Sequence, residues 1–195
     1  MTRDEYIHDP RVLRAIAHPV RTRILGEIAA GGPLRAADVA RELDIPANQA
    51  SFHLRQLAKY GLVEEAPGEA RDKRDRVWRA TTEAGLAVRF ADLEAQPGGK
   101  AAVAVFRRSA GDWAHHLVDL ALGGPEEPGV LRALMNQTVK LTKEEAEGLQ
   151  QDLLDVVDGW VQRTRGRDDE RRTYIVMQVL QPYPEVAGDP AADES

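Results

Sequence analysis

The chain has no cysteine, and only 5% of its 195 residues are aromatic. The first absence excludes disulfides, thiolate metal centres and cysteine nucleophiles, and with them the zinc-finger and redox classes. Long apolar runs are missing too. Nothing approaches the roughly 18 to 20 residues of a membrane span, and the start, Met1-Thr2-Arg3-Asp4-Glu5, is charged rather than apolar. We therefore expect a soluble, cytoplasmic protein with no membrane partner. There is no glycine-rich phosphate loop, nucleophile elbow or metallohydrolase His-Glu pattern, so neither an enzyme nor a bound cofactor is expected.

Excess positive charge is also lacking: the net charge is −6 and the pI near 5.4. The deficit is unevenly placed. Met1 to Ala95 carries 15 basic and 15 acidic residues, whereas Gln96 to Ser195 carries 11 and 17. Within the first half, Pro46 to Ala80 is net +2, with four bases concentrated in Arg71-Asp72-Lys73-Arg74-Asp75-Arg76. A local basic feature can sit on an acidic protein.

What is present is a sequence with clear punctuation. At 21.5 kDa it can bury roughly 70% of its unfolded surface in one or two domains. Asp9-Pro10 and His18-Pro19 read as helix starts, Val20, Ile24 and Ile28 supply an inner face, and Gly31-Gly32-Pro33 is a stop. Ala36 to Leu43 is a short helix. A longer one follows Asp44-Ile45-Pro46, with Ala50, Leu54, Leu57 and Ala58 inward and Gly61 as its end. Leu62 to Glu65 and Val77 to Ala80 read as strands of a hairpin with a charged tip. Thr81 to Glu83 opens another helix, with Leu86, Phe90 and Leu93 on its buried side.

Gln96-Pro97-Gly98-Gly99 breaks the pattern and is the expected domain boundary. Beyond it Val103, Phe106, Ala110, Trp113, Leu117 and Leu120 recur by three and four, the seam of a paired helix. The pairing is either between subunits or within one bundle. Gln137 to Leu141 and Thr173 to Gln181 read as strands around a helix opened by the capping box of Thr142 and Glu145, with Ala146, Leu149, Leu153, Val156, Val157 and Trp160 inward. The expected organisation is an N-terminal unit over 1–95, a dimerisation or effector unit over 96–187 and a loose tail over 188–195. The fold class is mainly α with small β parts: an N-terminal three-helix core with a β-hairpin wing, and a C-terminal α/β domain.

The run His18-Pro19-Val20-Arg21-Thr22-Arg23-Ile24-Leu25, then Ala37 to Leu43, Gln49-Ala50-Ser51-Phe52-His53-Leu54-Arg55-Gln56-Leu57 and Gly61-Leu62-Val63 resembles the ArsR family of bacterial transcriptional regulators. The resemblance covers Asp9 to Arg89. It implies a winged helix-turn-helix that binds a palindromic operator in double-stranded DNA as a homodimer, usually as a repressor released by a signal. The chain departs from that family in lacking cysteine, in placing Arg35 where Ser or Thr commonly caps a helix, in the aromatic Phe52, and in its longer second domain.

The helix after Pro46 is then the recognition helix. Asn48 and Gln49 carry amides suited to the adenine edge, and Phe52 suits a thymine methyl group. Ser51, His53, Arg55, Gln56 and Lys59 complete the outer face; Ser51, His53, Arg55 and Lys59 are placed for phosphates, and Lys73 and Arg74 in the wing for the backbone or the adjacent minor groove. His53 has a second reading as a satisfied histidine at the core edge. Val103, Phe106, Trp113, Leu117 and Leu120 are the candidate dimerisation residues. Asp112, His115, His116 and Asp119 are read as a polar helix face rather than a metal site. Trp113, Trp160, Tyr174 and Tyr183 are read as core, a small-molecule effector being left open. The rival reading is a winged helix used only for protein interaction.

Overall fold

The computed structural model describes residues 6–69, 76–82, 87–167 and 171–184. β1 (Tyr6–Ile7) leads into α1 (Pro10–Ile16), where the Asp9 carboxylate accepts from the Arg11 amide at 2.8 Å and Pro10 gives up no helical hydrogen bond. α2 (Pro19–Gly31) also starts on a proline, though the His18 side chain before it makes no cap hydrogen bond, and it buries Ile24 and Ile28 completely. Thr22 Oγ1 donates to the Ile16 carbonyl at 2.6 Å, tying the end of α1 to the start of α2.

β2 (Leu34–Arg35) precedes α3 (Ala36–Leu43), whose first turn is closed from an unusual residue. The Asp38 carboxylate accepts from the Arg35 backbone amide at 3.1 Å and pairs with its guanidinium at 2.8 Å. Arg35 thus supplies half of a capping box and an ion pair where a hydroxyl would cap directly. α3 ends at Asp44, which holds φ +51, a left-handed conformation Asp tolerates better than most side chains. The Ile45 amide reaches the Ala40 carbonyl at 3.0 Å, and Pro46 opens α4 (Ala47–Lys59).

β3 (Val63–Glu65) and β4 (Val77–Ala80) form the expected hairpin, and β2 joins the far side of β4, giving the antiparallel order β2-β4-β3. β5 (Ala87–Val88) pairs in parallel with β1. The helix expected after Thr81 begins later, as α5 (Phe90–Glu94), because Ala87 and Val88 are taken up by β1. Leu93 is buried as expected, and Leu86 lies outside the described residues.

α6 (Gly99–Gly123) and α7 (Lys143–Thr164) complete the described elements. One core gathers Leu13, Ile24, Ile28, Val39, Leu54, Leu57, Leu93, Ala102 and Val103. Burying each large aliphatic side chain here favours the fold by about 1.5–3 kcal/mol. The start of α6 belongs to this core: it lies against α1 and α5, and Ser109 Oγ donates to the Ala17 carbonyl at 2.7 Å.

The second half departs from expectation. Residues 137–141 and 173–181 pair with no strand among the described residues. On α7, Leu153, Val156 and Trp160 are exposed rather than inward. The capping box itself is formed: Glu145 N donates to Thr142 Oγ1 at 3.2 Å, and Thr142 N donates to the Glu145 carboxylate at 2.8 Å. Among the described residues α7 packs against α2, and just past its C-terminal end the Gly166 amide meets the Gly31 carbonyl at 3.3 Å. The molecule is mainly helical, with a winged helix-turn-helix at its N-terminal end.

Candidate nucleic-acid interface

α3 and α4 are the two helices of the motif, joined by the turn at Asp44. Three features place α4. Ala50, Leu54 and Leu57 are fully buried beneath it. Pro46 fixes its start and Gly61, at φ +69, its exit. β3 and β4 flank its C-terminal end. The face turned away from the core therefore projects as a ridge.

On that ridge Asn48, Gln49, Phe52, Arg55 and Lys59 are exposed, while Ser51 and Gln56 are half-buried at the flanks. Phe52 is 50% exposed, an unusual place for a large apolar ring on a polar surface. Asn48 Oδ1 accepts from the Gln49 amide at 2.9 Å, so its carbonyl is engaged in its own first turn while Gln49 presents its whole side chain outward. Lys59 stands over the Tyr60 ring at 5.9 Å. Arg55 makes no ion pair among the described residues.

His53 does not belong to this surface. It is 5% exposed and faces His18, ring centroid to ring centroid 4.7 Å, with Phe52 edge-on at 5.4 Å. A buried ring cannot reach a phosphate, which corrects its assignment to the outer face and bears out its second reading in part: it lies in the core, yet unsatisfied. His18 Nδ1, His53 Nδ1 and Arg21 Nε are all buried without a hydrogen-bond partner. Burial lowers the pKa of both histidines, and the nearby Arg21 lowers each further. Both are held neutral, in a polar knot between the start of α2 and the middle of α4. The signal for it was in the spacing, since Ala50, His53, Leu54 and Leu57 fall at i, i+3, i+4 and i+7.

The wing carries little free charge in its described strands. Glu64 pairs with Arg79 at 2.7 Å and Glu65 with Arg76 at 3.5 Å. Lys73 and Arg74 lie outside the described residues. Among the candidate dimerisation residues, Val103 is 1% exposed in the chain's own core and Phe106 packs against it. Trp113 and Leu117 are half-buried and Leu120 is exposed, so only the far half of the seam is open.

The aromatic set does not form a core. Trp160, Tyr174 and Tyr183 are exposed, at 60%, 54% and 78%. Trp113 lines an open cavity of about 490 Å³ with Pro19, Val105, Arg108 and Asp112. Among the described residues no cluster of three or more His, Asp or Glu side chains is arranged to hold a metal ion, and no helix is long and apolar enough to cross a membrane.

Residues 16–66 match a family described as a helix-turn-helix domain. No curated protein matches the chain. Among solved structures, the apo form of a ZitR mutant from Lactococcus lactis is 18% identical, over 74% of this chain and 83% of that one, with a TM-score of 0.34. The transcriptional regulator Tm0710 from Thermotoga maritima is 16% identical, over 76% and 78%, with a TM-score of 0.31.

Proposed function

We propose that this chain is a cytoplasmic, sequence-specific regulator of transcription of the ArsR kind, binding a palindromic operator in double-stranded DNA as a homodimer and acting as a repressor. The observation that carries the reading is α4 itself. It lies within the helix-turn-helix match, it is anchored by three fully buried residues, and its opposite face presents amides, an aromatic ring and two cations. Such a helix fits the major groove, where every base pair has its own pattern of donors, acceptors and methyl group.

Gln49 reads a base edge, with Asn48 beside it once its amide turns out of the first turn. Phe52 lies against a thymine methyl group. Arg55 and Lys59 hold phosphates and set register, with Ser51 and Gln56 at the flanks. Lys73 and Arg74 extend the contact to the neighbouring backbone. Trp113, Leu117 and Leu120 contribute to the dimer. Any effector is non-thiolate, because the chain has no cysteine.

The test is selection of bound fragments from genomic DNA, then titration of the best fragment against salt. Arg55→Ala should weaken binding to all sequences alike and lower the slope of log affinity against log salt by about 1, while Gln49→Ala should relax preference at one base pair. Equal losses for both variants on matched and mismatched operators would overturn that division of roles. The Glu64–Arg79 and Glu65–Arg76 pairs favour a second reading, a winged helix that binds protein. Failure to retard any duplex at low salt would put it first.

A further inference from the structure

We propose that residues 137–141 and 173–181 are strands of a sheet completed by a second copy of this chain. The inference rests on the homodimer of the reading above and names the surface that builds it. In the run from Tyr174 to Leu180 six of the seven side chains are apolar or aromatic, Gln178 being the exception, and each of the six is at least 44% exposed. Apolar residues occupy both parities of the run, the pattern of a strand covered on both faces rather than one. Val139 and Leu141 supply the alternating partner pattern of a strand covered on one face.

Neither segment has a backbone hydrogen bond among the described residues. The second is nevertheless held in place at its start by side chains. Thr173 Oγ1 donates to the Glu27 carboxylate at 2.7 Å, Arg172 pairs with Glu127, and the Leu131 amide donates to the Tyr174 hydroxyl at 3.3 Å. A positioned, β-branched, uncharged run with free amides and carbonyls is a template for another strand. Left open it would aggregate.

The size of the uncovered surface points to the occupant. Among the described residues from 131 to 183, sixteen large apolar side chains are at least 36% exposed. So large an uncovered apolar surface marks an interaction face, and burying it against a second copy gives the hydrophobic kind of interface that obligate homodimers have. One chain also carries both halves of what a twofold contact needs: the two β-competent runs, and the uncovered Leu153, Val156 and Trp160 of α7 to lie across them. A twofold axis then places the same patch of each copy on its mate.

The experiment needs no DNA, so it fails or succeeds independently of operator binding. Sedimentation equilibrium of the full chain is combined with hydrogen exchange resolved by segment. The expected result is a dimer at micromolar concentration with the amides of 174–180 protected at least a hundredfold over the unstructured rate. Val176→Asp with Val179→Asp should give a monomer that loses this protection, while the amides of α2 and α4 keep theirs. Both substituted side chains are exposed in the protomer, so its core is not disturbed. A monomeric wild-type chain overturns the proposal. So does a dimer in which 174–180 exchanges freely, which would assign the contact to the open half of α6 and leave the DNA-binding reading intact. Protection retained in the monomeric variant would also overturn it, by showing pairing within one chain.

Discussion

At the scale of single residues, the tightest constraint lies at Gly99. A Cβ built there would sit 1.7 Å from the Leu93 carbonyl oxygen and 2.7 Å from its carbon, both backbone atoms that cannot swing aside. Gly98, at φ +75, makes the turn that brings the two helices so close. Gly99→Ala should therefore destabilise the fold by about 1–3 kcal/mol, although alanine ordinarily favours a helix. Urea denaturation checks this, and a neutral or stabilising outcome would contradict the close approach. Asp44 sits at the opposite extreme, since its left-handed φ is one a short polar side chain accepts, and the motif turn needs no glycine.

At the scale of elements, the start of α7 is separable from what covers it. Removing the Thr142 hydroxyl by Thr142→Ala should cost about 1 kcal/mol of local helix stability. Because α7 is exposed along most of its length, the loss should appear as faster amide exchange in its first turns with little change in the global midpoint. A cooperative drop in the midpoint would mean that α7 is part of the core. This separation also explains how legible each element was. Caps and breakers are local chemistry, so Asp9-Pro10, His18-Pro19, the Thr142–Glu145 box and Gly61 placed helix ends from the sequence alone. Burial depends on distant partners. Leu153, Val156 and Trp160 have helical spacing but no cover in the protomer, and Tyr174 to Leu180 has strand composition but no ladder. His53 was misplaced on the outer face because a polar residue type outweighed its position beside Leu54. Of the proposed recognition face, Asn48, Gln49, Phe52, Arg55 and Lys59 were legible as an outer face because, His53 apart, the buried residues opposite them are apolar.

At the scale of the whole molecule, buried His53 and half-buried His18 should make stability depend on pH. Burial lowers the folded-state pKa of His18 and His53 below the unfolded value near 6.5. The unfolded chain then binds more protons between the two values, so stability is complete above about pH 6.5 and falls as the pH drops below it. Asp9 and Asp38, held below the usual carboxylate range by Arg11 and Arg35, add their loss only in more acid solution. Denaturation midpoints at pH 7.5 and 5.5 should differ, and His53→Met should reduce the difference. A midpoint independent of pH over that window would show that neither ring is withheld from protons. A mechanical consequence follows from the clasp at Gly99. α6 runs 25 residues, or about 37 Å, with its near end seated on the core and its far end in the other half of the chain. It is a lever pivoting where no side chain fits, and a tilt of about 5° at the pivot swings its tip by about 3 Å over that length. In the proposed homodimer, whatever holds the tips of two such levers together also sets the distance between the two proposed recognition helices.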